Sequence, residues 1–212
     1  MSLSQINTHA YKEGLPYTDW NALAADMNQI VADGAGFVPG AFKLWDSVDA
    51  GVTLPAASVT TPSLDQNFSH LLVIFKARSA TATSIENLHM RVNGSSAAAY
   101  YDQVVQGNAA AASAGESVGA TSMKVGTLAG GSVGATYTGV GCIWLPYYAE
   151  TTAYKNYTSI SGGNRTNLTG HTYEGVFGGF FGSGGAISTL TFLSQGGGNI
   201  VTPSRFTVYG LS

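Results

Sequence analysis

From His70 to the C-terminus, apolar residues come in short runs, several of them at every second position, and glycine, serine, threonine or asparagine closes each run. That period suits a strand with one buried face and leaves no room for a long amphipathic helix. His70-Leu-Leu-Val-Ile-Phe-Lys-Ala-Arg78 is continuous enough to be a core strand. In Ile85–Asn93, Leu88, Met90 and Val92 alternate inward, and Asn93-Gly94 then supplies a hairpin turn. Further strands are predicted at Met123–Leu128, Gly139–Tyr148, Tyr154–Ile160, His171–Phe181 and Ala186–Leu193. The last lies at Arg205–Tyr209, with Phe206 and Val208 in the core and Pro203 breaking the loop before it. Ala97–Gln106 reads equally as a strand or a short helix. Residues 107–122, GNAAAASAGESVGATS, have too little apolar surface to pack and read as a surface loop. So many short strands at this spacing predict a mainly β fold, an antiparallel, jelly-roll-like β-sandwich.

The chain before His70 is different. Thr18 can cap a helix, Asp19 suits its first turn, and Trp20, Leu23, Met27, Ile30 and Val31 follow at helical spacing until Gly34 and Gly36 end it. So short a helix is not stable alone. Its stripe must pack on its own domain, bundle with sister subunits or attach to a larger assembly. Residues 37–63 hold three of the six prolines and read as an extended connector with short strands. The predicted organisation is an arm and helix at 1–40, a connector at 41–65 and a β-sandwich at 66–212.

Charged residues make up only 10% of the chain, against about 25% in an ordinary soluble domain. Ser, Thr, Asn, Tyr and backbone must therefore cover the surface, or other subunits must bury it. A net charge of −3, with no run of Lys or Arg, argues against nucleic-acid binding. Cys142 is the single cysteine, so no intrachain disulfide forms. No apolar run is long enough for a membrane-spanning helix, and MSLSQINTHAYKEG is too polar for a signal peptide, so the expectation is a protein made soluble, without membrane insertion.

Motifs for catalysis are weak. Gly130-Gly131-Ser132-Val133-Gly134 matches G-x-S-x-G, but its flanks predict strand, turn, strand, and a nucleophile elbow needs strand, turn, helix. His9, His70, His89 and His171 lie far apart, without partners at metal-ligand spacing. Asp102, Glu150 and Glu174 are the candidate acids for glycoside cleavage, yet nothing in the sequence brings them together. No cofactor, metal or catalytic residue is expected. Aromatics crowd the C-terminal half: Tyr147, Tyr148, Tyr154, Tyr157 and Tyr173, with Phe177, Phe180 and Phe181. They fill a glycine-rich core, form an oligomer interface or contact a glycan.

One set of phrases recurs elsewhere. Ala77-Arg78-Ser79, Met90-Arg91-Val92-Asn93-Gly94, Ala99-Tyr100-Tyr101-Asp102, Tyr148-Ala149-Glu150-Thr151-Thr152-Ala153-Tyr154-Lys155, Ala186-Ile187-Ser188-Thr189-Leu190 and Ser204-Arg205-Phe206-Thr207-Val208-Tyr209-Gly210-Leu211 stand in the order found in a β-sandwich module of tailed-bacteriophage virion proteins. The stretch from Leu71 onward resembles that module, and Gly14–Asn21 resembles the attachment segments preceding the first helix in such proteins. The resemblance implies a non-enzymatic homotrimer on the virion surface, assembled in the host cytoplasm. Its partners would be the major capsid protein or a tail protein. A capsid decoration, or cement, role is the first expectation. A tail-fibre or tail-tip protein contacting host surface glycan is the alternative.

Overall fold

A computed structural model describes residues 41–108, 111–166, 170–180, 182 and 184–212. The helix predicted after Thr18, with its stripe of Trp20, Leu23, Met27, Ile30 and Val31, lies outside them. The chain divides into units of residues 1–42 and 43–212. The described residues are mainly β, with twelve strands. They are β1 (Ala41–Asp46), β2 (Ser58–Thr60), β3 (His70–Ser79), β4 (Ile85–Val92), β5 (Tyr100–Asn108), β6 (Ala111–Ala120), β7 (Met123–Ala129), β8 (Gly139–Pro146), β9 (Lys155–Thr166), β10 (Gly170–Phe180), β11 (Leu190–Ser194) and β12 (Ile200–Leu211).

Hydrogen bonding links them into one open, mixed sheet, in the order β2-β11-β4-β7-β3-β8-β9-β10-β5-β6, with β12 beside β3 and β1 beside β12. The β3–β7 step is parallel and amounts to a single residue pair, Arg78 with Ala129. The other registered ladders are antiparallel. Backbone therefore does little to hold β2-β11-β4-β7 to the remaining strands, and side chains supply the rest. Phe206 of β12 stacks on Phe192 of β11 with centroids 4.5 Å apart and planes at 13°, and on Phe75 of β3 at 6.3 Å. The Phe75 ring leaves no room for a side chain on β7: a Cβ at Gly126 would lie 2.8 Å from its Cζ and 2.9 Å from Ser161 Cβ.

The phrases that carry the phage resemblance tie loops to strands. Arg78, nearly buried, donates from its guanidinium to the carbonyls of Val133 at 2.6 Å, Gly134 at 2.7 Å and Tyr137 at 3.3 Å, so the G-x-S-x-G segment is an arginine-held turn. Asn93 takes the left-handed conformation (φ 52°) that its turn requires. Its amide donates to the Ala186 carbonyl at 2.8 Å, and its Oδ1 accepts from the Ser188 and Thr189 N–H groups. Lys155 Nζ caps the carbonyls of Glu150 and Ala153. The Ser204 hydroxyl accepts the Arg78 N–H at 2.9 Å.

Several expectations are corrected. Residues 111–120, predicted as part of a loop, are strand β6, which pairs with β5 from Asn108–Ala111 to Tyr100–Ala120. An edge strand held by its ladder needs no packed face, and small exposed residues suffice. Of Ala97–Gln106, the part from Tyr100 onward is strand, as the start of β5. Pro203 does not precede the last strand but sits within it, where the β12–β3 register shifts between Val201 and Arg205, an irregularity that needs no N–H from proline. Residues 41–65 carry β1 and β2 and send Trp45, Val59 and Leu64 into the core. Buried Asp46 accepts from Arg205 Nε at 2.8 Å and Thr207 Oγ1 at 2.6 Å. Burial alone would raise its carboxyl, but those bonds and the Val48 N–H hold it below the usual range.

Because Phe206 contacts both ladders, Phe206→Ala should cost about 3–5 kcal/mol, read as a lower urea midpoint. Val118→Ala, on the exposed side of β6, should stay within about 0.5 kcal/mol.

Candidate functional site

Strand alternation sorts the candidate residues onto two faces. On β10, Thr172, Glu174 and Val176 point inward while Tyr173 and Phe177 are exposed; on β5, Asp102 and Val104 are inward and Tyr101 and Val105 outward. The inward set meets β7. Lys124 Nζ lies 3.0 Å from Glu174 Oε1, and Asp102 Oδ2 accepts the Lys124 N–H at 3.2 Å. Tyr157 donates to the Lys124 carbonyl, and Ser161 Oγ accepts the Thr127 N–H at 3.2 Å. Two of the three acids that the sequence left apart, Asp102 and Glu174, thus share Lys124, while Glu150 is exposed elsewhere.

This cluster is built to close an edge. The outer N–H and C=O groups of β7 are satisfied by side chains of β5 and β9 instead of by another strand. Glu174 is fully buried, and its one charged contact among the described residues is the ion pair with Lys124. Burial pushes the Glu174 carboxyl upward, and Lys124 only partly offsets it; burial likewise raises Asp102 and Tyr157. A cleft of about 280 Å³ lined by Asp102, Val104, Gln106, Lys124 and β6 stops at this cluster. Glu174, with no exposed surface, meets no substrate, while Asp102 and Lys124 form part of the cleft wall. Among the described residues, no three of His, Cys, Asp and Glu are placed to share a metal ion, and no helix is long and apolar enough to cross a membrane.

The outward face is the second feature. Hydrogen-bond register aligns three rows across it: Leu72-Trp144-Thr158-Phe177-Gln103-Glu116, then Ile74-Cys142-Ile160-Gly175-Val105-Ala114, then Lys76-Val140-Gly162-Tyr173-Gly107-Ala112. Ile74, Val140, Ile160, Tyr173, Phe177 and Val105 are between 47% and 65% exposed there. Of the aromatics singled out by sequence, Tyr147, Tyr154 and Tyr173 are exposed. Tyr148 and Tyr157 are buried, so neither offers a surface contact. Tyr148 donates instead to the Asp65 carbonyl. Tyr147 (φ 48°) packs edge-on against His70 at 4.7 Å, and His70 lies 5.0 Å from Trp144. The aliphatic members of the face, Ile74, Val105, Val140 and Ile160, escaped the sequence reading. Ile74 sits in a run read as a core strand and Val105 in a segment read equally as strand or helix, and only the strand order reveals that the four line up.

No protein family, curated protein or solved structure matches the chain.

His89, buried on β4, bonds through Nδ1 to Ser122 Oγ at 2.9 Å, while its Nε2 has no partner among the described residues. Burial, with Lys124 and Arg91 nearby, lowers its pKa to about 4. The unfolded chain takes up a proton near pH 6.5 and the folded one does not, so stability is full above that pH and falls as pH drops toward 4. Between pH 7 and pH 5, wild type should lose about 2 kcal/mol relative to His89→Gln, measured by paired urea titrations.

Proposed function

We propose that the protein is a non-enzymatic structural subunit of a bacteriophage virion, a homotrimeric capsid decoration protein whose strands form a two-layer β-sandwich. Contacts between strands that share no ladder support the sandwich: Phe192 on Phe206, Thr127 on Ser161 and Tyr157 on Lys124 join β11 and β7 to β12 and β9. They are what two sheets packed face to face require.

The observation that carries the structural role is how the charged groups are used. Arg78 and Lys155 hold loop carbonyls, Asp46 and Arg205 pair with each other, and Asp102, Lys124 and Glu174 close the β7 edge. These groups serve the fold, and the carboxyl of Glu174 has no surface open to a substrate. The order of the Arg78, Asn93, Lys155 and Ser204 phrases supports the phage assignment. A surface so poor in charge suits a protein that lives against neighbours.

The clustered His70, Trp144 and Tyr147 rings favour a second reading, a tail protein that contacts host surface glycan, because an exposed tyrosine edge-on to His70, with Trp144 next to that ring, offers a platform for a sugar.

Electron microscopy of particles carrying the protein distinguishes the two. Density at the threefold positions of the head is expected; density confined to the tail, together with loss of host adsorption in Tyr147→Ala, establishes the second reading. Hydrolysis of host polysaccharide by the purified protein would overturn both.

A further inference from the structure

A hollow beside β12 begins in its register shift. Val201 pairs with Arg78 and Arg205 with Lys76, so Thr202, Pro203 and Ser204 stand against Ala77 alone. A strand carrying extra residues bends away from its partner. The chain after β1 runs along the other side of the bend: the Ser47 N–H donates to the Phe206 carbonyl at 2.9 Å, and Ala56 pairs with Ile200. Between them lies a cavity of about 410 Å³. Buried Val59 and Phe206 form its inner end, half-buried Val52 and Leu54 its wall, and exposed Lys76 and Arg205 its mouth. The two cations stand opposite each other in the β3–β12 ladder, where like charges repel. Asp46 offsets Arg205 and Asp49 offsets Lys43, each at 2.7 Å. Lys76 has no ion pair among the described residues, so three cations meet two carboxylates at this corner and one positive charge is left over.

We propose that this cavity binds a small amphipathic carboxylate, a medium-chain fatty acid, with its head group at Lys76 and its alkyl chain against Val52, Leu54, Val59 and Phe206. The lining selects the ligand. An aliphatic wall takes an alkyl chain, the unpaired cation takes an anion, and one molecule meets both demands only if it carries the charge at its end. Size points the same way: a hollow of this volume takes a small molecule, whereas an extended peptide needs a long groove or an open strand edge. A neighbouring hollow of about 330 Å³ shares Lys76 and Arg205. Its aliphatic walls, Ile74 and Val140, are 47% and 53% exposed, so a chain laid there stays largely in water. Binding in the deeper cavity does not depend on the virion role.

Titration calorimetry of the full chain with decanoate should show one saturable site. Decanol, the same alkyl chain without the charge, should bind about tenfold more weakly, as the loss of a charge-assisted hydrogen bond requires. Lys76→Gln changes an exposed side chain and leaves the core intact; it should weaken decanoate about tenfold and leave decanol unchanged. Val52→Phe, which fills the cavity from its wall, should weaken both ligands, and the distant Val118→Ala should weaken neither. No saturation by about 1 mM decanoate, equal affinity for decanoate and decanol, or full affinity in Lys76→Gln would overturn the proposal. So would saturable binding of an apolar peptide with a free C-terminus where decanoate fails, which would make the hollow a protein-docking site.

Discussion

The structure depends on a junction that backbone hydrogen bonds barely make. The ladder β2-β11-β4-β7 meets the others at one residue pair, Arg78 with Ala129. A single pair fixes position but not packing, so the Phe75, Phe206 and Phe192 rings carry the join, and Arg78 anchors it at one end by holding the 133–137 turn. Gly126 follows from the same demand: β7 comes so close to Phe75 and Ser161 that no Cβ fits. Each of these residues is costly to change because interiors this dense have little slack.

Closing the β7 edge is the second requirement. An unpaired edge inside a protein leaves N–H and C=O groups without water. Here Asp102, Tyr157 and Ser161 take the place of a strand, and Lys124 compensates the Glu174 charge brought in with them. Asp102 and Glu174, candidate acids by residue type alone, thus meet at Lys124. Acid pairs in a sequence carry no function until their exposure is known.

Much of the strand pattern was legible. Leu88, Met90, Val92, Phe206 and Val208 alternate in the sequence and are all fully buried. β6 was not legible, because AASAGESVGA contains no apolar face and is held as a strand by its neighbour's hydrogen bonds. The five tyrosines could not be sorted by type, since tyrosine is as suited to a core with one carbonyl in reach as to a wet surface. Tyr148 and Tyr157 found such carbonyls, at Asp65 and Lys124, and went inside.

By itself the sequence determined the β class, the places of most strands, the inward residues where alternation was regular, and the turn at Asn93-Gly94. These are local properties, set by side-chain period and backbone preference over a few residues. Tertiary structure alone decided the strand order, the meeting of Asp102 and Glu174 at Lys124, and the alignment of Ile74, Ile160 and Val105 on one open face. Each joins residues far apart in the chain, and their register is chosen by packing and hydrogen bonding across the whole sheet.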